Sequence, residues 1–223
     1  MKFLPMTLPV IVAAMSFALL PTVAQNIKWN CLSRTGALFT SSPLLGSDGT
    51  LYVGIGVSLF AIDTVGSNSV SECMVKWLFQ TKGVIQTTPI LGPDGTLYFV
   101  SNDLHIYALD TLSNQTEAAL RQKWNFPLYI KDPPGGEMRS SPVLGLDGSL
   151  YVGSNDAKIY AFDTVVSNSV SKGTVKWVSN KTTGAIQTTP ILGPDGTLYF
   201  GDNGNNFHAY ETMGTAAGTL KWS

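Results

Sequence analysis

Few side chains in this 223-residue chain are of the kinds that usually carry reactions. There are two histidines, His105 and His208, and two cysteines, Cys31 and Cys73. No Gly-x-Ser-x-Gly elbow arms a serine and no His-Glu-x-x-His pair stands ready for zinc. Both histidines fall at or beside Tyr or Lys positions of sister segments, where a partly exposed ring is tolerated, so neither is expected to act as a base. The aspartates recur mainly as Asp-Gly, at Asp48, Asp94, Asp147 and Asp195. That dipeptide is a hairpin signal, because Gly takes positive φ freely and Asp tolerates it. The most oxygen-rich run is Asp202-Asn203-Gly204-Asn205-Asn206. Asp202, Asn203 and Asn205 are the weak candidates for calcium, although no repeating ligand spacing follows and a plain turn is the simpler reading. Gly54-Ile55-Gly56 lacks the third Gly and the helix of a nucleotide loop.

The elements that position these groups come from a repeat. Pro-x4-Asp-Gly-[Thr/Ser]-Leu-Tyr occurs four times, from Pro43, Pro89, Pro142 and Pro190, at steps of 46, 53 and 48 residues. A Lys-Trp pair precedes each copy, at Trp29, Trp77, Trp124 and Trp177, and a fifth, Lys221-Trp222, ends the sequence. Asp-Gly joins a first strand to a second that begins Leu-Tyr. A short polar turn such as Ser101-Asn102-Asp103 leads to a third strand such as Ile106-Tyr107-Ala108-Leu109. An acidic residue, Asp63, Asp110, Asp163 or Glu211, opens a longer loop, and the fourth strand carries Lys-Trp. A second periodicity lies above the first. Residues 83–99 match 184–200 at 16 of 17 positions, so the chain is two copies of a two-blade unit.

Four strands per unit and apolar residues on both strand faces predict an all-β fold, a β-propeller of four four-stranded blades. The blades are expected at about 38–79, 84–126, 137–179 and 185–223. Only Thr116–Gln122 offers a helical turn. One small sheet cannot bury both faces, so stability must come from blade-on-blade packing. The recurrent Ala of the third strand lets sheets approach, and Trp29, Trp77, Trp124, Trp177 and Trp222 are expected as blade-docking wedges. Each indole buries roughly 150–250 Å².

Residues 1–24 hold one early charge, Lys2, then an uncharged apolar stretch ending Thr22-Val23-Ala24. This is the layout of a secretory signal with cleavage after Ala24, leaving a domain over 25–223 in a secreted or periplasmic location. The competing reading is an uncleaved anchor, the one route to a membrane. Charged residues make up 13% and the formal charge is −1, which speaks against nucleic acid as a partner. Cys31 and Cys73 fall on segments expected at the outer rim of neighbouring blades, too far apart for a bridge, which favours two thiols over a disulfide.

The run from Ser141-Pro142 through Asp163 to Trp177 resembles the pyrroloquinoline-quinone-like, or quinoprotein-type, β-propeller repeat: Ser-Pro-x4-Asp-Gly-x-[Leu/Ile]-Tyr-Val-Gly-Ser, then [Leu/Ile]-Tyr-Ala-Leu-Asp, a loop and Trp. The resemblance covers about residues 27–222. Its usual Asp-x-x-Thr-Gly turn is replaced here by Asp63-Thr64, Asp110-Thr111 and Asp163-Thr164 with longer Ser/Asn-rich loops. It implies one of two functions. Some members are secreted alcohol and sugar dehydrogenases that bind PQQ and calcium; others are non-catalytic scaffolds, such as one in outer-membrane protein assembly. Members usually have six to eight blades, against four here.

The start of each innermost strand borders a propeller's central channel. Here Thr40, Gln86, Thr87, Arg139, Gln187 and Thr188 form the candidate binding rim, against the plainer reading that its hydroxyls serve strand-end backbone. The insert Lys131–Met138 lies just before Arg139. The expectation is a non-catalytic module for binding or scaffolding, with no cofactor, whose partner is a protein or small polar ligand. The alternative is a fragment or subunit of a PQQ-dependent dehydrogenase, with quinone and calcium. Four blades in an open arc would expose two apolar faces, and two arcs could complete an eight-blade homodimer; alternatively, the chain is a piece of a longer propeller.

Overall fold

The computed structural model describes residues 38–65, 74–113, 121–127, 138–164 and 174–223. The segment 1–24, Trp29, Cys31, Cys73, most of the Thr116–Gln122 turn and residues 131–137 lie outside the described residues. Four antiparallel four-stranded sheets follow one another in chain order. Blade 1 holds β1 (Leu44–Leu45), β2 (Thr50–Ile55), β3 (Ser58–Asp63) and β4 (Met74–Gln80). Blade 2 holds β5 (Ile90–Leu91), β6 (Thr96–Ser101), β7 (His105–Asp110) and β8 (Gln122–Pro127). Blade 3 holds β9 (Val143–Leu144), β10 (Ser149–Gly153), β11 (Ile159–Asp163) and β12 (Thr174–Val178). Blade 4 holds β13 (Ile191–Leu192), β14 (Leu198–Gly201), β15 (Phe207–Tyr210) and β16 (Leu220–Trp222), after a short 3-10 turn at Gly214–Ala216.

The Asp-Gly turns form as the sequence requires. Gly49, Gly95, Gly148 and Gly196 all sit at φ between 73° and 80°. Each aspartate caps its own turn: Asp48 Oδ1 accepts from Thr50 N at 3.0 Å and Oδ2 from Thr50 Oγ1 at 2.6 Å, with the same pairs at Asp94, Asp147 and Asp195. The threonine of the Asp-Thr or Glu-Thr step locks the turn from the third strand. Thr64, Thr111, Thr164 and Thr212 each donate to the carbonyl of the turn glycine.

The Lys-Trp pair has a geometric reason. In every blade the fourth strand bulges at the lysine: Ala61 faces Trp77 and Ile62 faces Val75, so Lys76 is left unpaired, and Lys123, Lys176 and Lys221 repeat this. The bulge frees the lysine to reach the Asp-Gly turn, where Lys76 Nζ donates to Thr50 Oγ1 at 2.7 Å. Lys123, Lys176 and Lys221 make the equivalent bond at 2.6, 2.6 and 2.7 Å. The same bulge sets tryptophan opposite alanine. Leu44, Tyr52, Ala61 and Trp77 form one cross-strand row, and the small Ala lets the Tyr52 and Trp77 rings approach to 5.8 Å. The other rows bring their Tyr–Trp pairs to 5.8, 5.7 and 6.0 Å.

Each row is half of a joint between blades. The first apolar cluster puts Tyr52, Ala61, Trp77 and Phe79 of blade 1 against Leu97, Phe99 and Leu109 of blade 2. Blades 2 and 3 meet through Tyr98, Ala108 and Trp124 against Leu150, Val152 and Phe162. Blades 3 and 4 meet through Tyr151, Ala161 and Trp177 against Leu198, Phe200 and Tyr210. Across each joint the phenols of Tyr52, Tyr98 and Tyr151 lie near the hydroxyls of Thr111, Thr164 and Thr212. Docking is thus graded among the indoles. Trp77 is 7% exposed, Trp124 and Trp177 are half-buried, and Trp222 is 51% exposed. Trp222, expected to dock like the rest, is thus the most exposed of the four, and among the described residues no further sheet lies on its row. Trp77→Ala is expected to lower the urea unfolding free energy by about 3–5 kcal/mol; a loss below about 1 kcal/mol would contradict this packing.

Candidate functional site

The first strands of neighbouring blades converge, since Thr88 N of blade 2 donates to Ser141 Oγ of blade 3 at 2.8 Å. This edge faces the axis, and the segments just before β1, β5, β9 and β13 form its rim. Two of its positions behave differently. The residue two before the proline is tied to backbone in every blade. Ser41 Oγ accepts from Gly54 N at 2.7 Å, and Ser140 Oγ from Gly153 N at 3.0 Å. Thr87 and Thr188 both accept from and donate to their second strand, at Val100 and Gly201. Thr87 and Thr188 therefore serve the strand ends.

The residue three before the proline is Thr40, Gln86, Arg139 and Gln187, three residue types over the four blades, with glutamine in blades 2 and 4. Thr40 Oγ1 donates to Ile85 O at 2.7 Å and so bridges blades 1 and 2. Gln86 Oε1 accepts from Asn102 Nδ2 at 3.4 Å, and Gln187 Nε2 donates to Asn155 Oδ1 at 3.0 Å. Arg139 is exposed. The rim is thus built of amides, hydroxyls and one guanidinium. Asn102 and Asn155 were not among the expected site residues; they occupy matching places in the polar turns, four residues after the tyrosine of the second strand.

The carboxylates beside the rim are turned onto their own blades. Asp103 Oδ2 accepts from Tyr107 Oη at 2.7 Å, and Asp156 Oδ2 from Tyr160 Oη at 2.6 Å. Burial, and then the carboxylate itself, push both phenols far above their ordinary value, so they stay protonated as donors. In blade 4 a histidine takes the tyrosine's place, with His208 Nε2 3.0 Å from Asp202 Oδ2. Asp202 also accepts from Thr183 Oγ1, Gly184 N, Gly204 N and Asn206 N at 2.8–3.2 Å. Five donors thus converge on one side chain that is 0% exposed. Calcium needs six to eight oxygens with lone pairs aimed at it. A carboxylate ringed by N–H and O–H donors offers none, and Asn203 and Asn205 are exposed. The loop does not fit calcium.

At the opposite end, the Asp-Gly turns leave a groove of about 810 Å³ between blades 2 and 3, lined by Pro93, Asp94, Tyr98, Leu144, Leu146 and Thr164. The matching groove between blades 3 and 4 holds about 100 Å³.

The carboxyl groups set an acid limit. Hydrogen bonds from Thr50 and Thr197 hold Asp48 and Asp195 below the usual carboxylate value. Burial alone would raise Asp94 and Asp147, but donors from Thr96, Ser149 and the bulge lysines outweigh it. Burial opposes Asp202 too, yet its donors, His208 foremost, bring it well below that range. Folded values below unfolded ones give stability that is fully present above about pH 4 and lost as pH falls through the folded values. Asp202→Asn is expected to cost about 1–3 kcal/mol near pH 7 and to flatten the acid limb of a melting-temperature profile; an unchanged limb would contradict the role of this cluster.

No family model matches the chain, and no curated protein matches it. Among solved structures it is similar to BamB from Moraxella catarrhalis, at TM-score 0.60 and 17% identity over 83% of this chain and 53% of that one. The chain thus spans about half the length of that relative. The likeness rests on the fold, and with the four repeated sheets it identifies the chain as an all-β protein of the β-propeller type.

Proposed function

We propose that the protein is an exported, non-catalytic propeller module that binds a protein or small polar ligand at the channel rim. The observation that carries this is the division of labour along the rim. One position is committed to backbone in all four blades, and its neighbour varies as Thr40, Gln86, Arg139 and Gln187. A repeat that holds its frame fixed while presenting threonine, glutamine and arginine at one rim position is suited to recognition, as on other repeat surfaces. The apolar residues 1–24 support export. The dehydrogenase alternative needs carboxylates for calcium beside a quinone. The turn carboxylates are instead bonded to Tyr107, Tyr160 and His208.

Two assays test the proposal. Quinone and calcium together should leave the melting temperature unchanged and give no dye reduction with alcohols or sugars; reduction at enzymatic rates would overturn it. Chemical cross-linking in the producing cells should give a defined adduct whose affinity falls roughly 100-fold in the Gln86→Ala, Arg139→Ala, Gln187→Ala triple variant, three lost polar contacts of about 1 kcal/mol each summing to about 3 kcal/mol. An adduct of undiminished yield would place binding elsewhere.

A further inference from the structure

Three interior joints use the same parts, and the two ends of the arc hold the two halves of a fourth. In each interior joint the following blade supplies a wedge just before its rim: Ile85, Met138 and Ile186, all 0% exposed. The wedge seats over the end of the leading blade's second strand. A Cβ at Gly54 would lie 2.7 Å from Ile85 O, and one at Gly153 would run into the Ile186 side chain. The leading blade contributes its Tyr–Ala–Trp row and a third-strand residue, Leu59, Ile106 or Ile159, also 0% exposed.

Blade 4 presents this leading half uncovered. Ile191 is 64%, Phe207 54% and Trp222 51% exposed. The site matching Gly54 and Gly153 is Gly201, where a Cβ would meet nothing nearer than Thr188 of its own blade, at 3.6 Å. Blade 1 presents the following half. Its wedge position is Phe39, 51% exposed opposite Ile55, and Leu45, opposite Leu51, is 63% exposed. Phe39 is held as the interior wedges are: Gly56 N donates to Leu38 O at 3.1 Å, just as Asn102 N and Asn203 N donate to Val84 O and Ala185 O at 2.9 Å. Thr64 holds its turn glycine as Thr111, Thr164 and Thr212 do, and those three lie near the tyrosine of the blade before.

We propose that these two faces mate between copies of this chain. Phe39 of one copy fills the hollow at Gly201 of the other, the first sheet covers Phe207 and Trp222, and the Tyr199 hydroxyl meets Thr64. Two equivalent joints close a ring of eight blades with two-fold symmetry. A second copy is the occupant because the two faces are halves of a joint that the chain itself builds three times. Large apolar side chains clustered on one face mark an interaction surface. The proposal is independent of what the rim binds.

Analytical ultracentrifugation of the protein expressed from its full sequence tests this. The expected result is the mass of two chains at micromolar concentration. Phe39→Asp and Phe207→Asp change exposed residues, so each should keep its far-ultraviolet circular dichroism and melting temperature measured as a monomer. Each should weaken association at least about 30-fold, the scale of a central interface residue. Mixing the two variants should restore part of the association, because one intact joint remains between a Phe39→Asp copy and a Phe207→Asp copy. A monomeric wild type, an open series of larger species, variants that associate as the wild type does, or no recovery on mixing would each overturn the proposal.

Discussion

The fold depends on one row of side chains repeated in every blade: an aliphatic residue, tyrosine, alanine and tryptophan aligned across four strands. Alanine is the constraint. Only a side chain of that size lets an indole on the outer strand and a phenol on the second strand approach to 5.7–6.0 Å across the third. The resulting aromatic plate is broad enough to receive the next sheet, and sheets of this size are not stable alone. The lysine bulge belongs to the same device. By skipping one residue it sets tryptophan opposite alanine and sends the ammonium group to the Asp-Gly turn. The exposed ion pairs so formed contribute little energy; what they fix is register.

Function is then left to positions the device does not use. Turn aspartates, bulge lysines, locking threonines and the inner hydroxyls are all spent on structure, blade after blade. At the rim, the side chains three before each proline vary instead, as Thr40, Gln86, Arg139 and Gln187. That separation lets a duplicated frame carry a changing surface, and it explains why residues that look chemically promising in isolation, Asp202 and His208 above all, turn out to be bonded to each other.

Much of the architecture was legible because the repeat writes it four times. The Asp-Gly turns, the strand order and the Tyr and Ala positions follow from spacing and turn chemistry. The role of the lysine did not, although it precedes every tryptophan, because a bulge leaves no mark in hydrophobic alternation. Trp222 shows a second limit. Its local sequence is that of Trp77, and what separates the buried indole from the exposed one is that, among the described residues, a following sheet covers the row of Trp77 and none covers that of Trp222. The rim was legible as a place but not in its division of labour. Thr87 and Gln86 are neighbours of similar polarity, and their different commitments depend on which strand end lies opposite.

Urea unfolding of Ala108→Leu, followed by circular dichroism, tests the central claim most directly. Ala108 lies between Tyr98 and Trp124 and is 0% exposed. A larger side chain there must part the two rings and lift blade 3 from blade 2. The expected result is a loss of about 1–3 kcal/mol or more, with the near-ultraviolet tryptophan signal reduced. Unchanged stability and an unchanged signal would mean that the row does not set the approach of the blades, and would contradict the account.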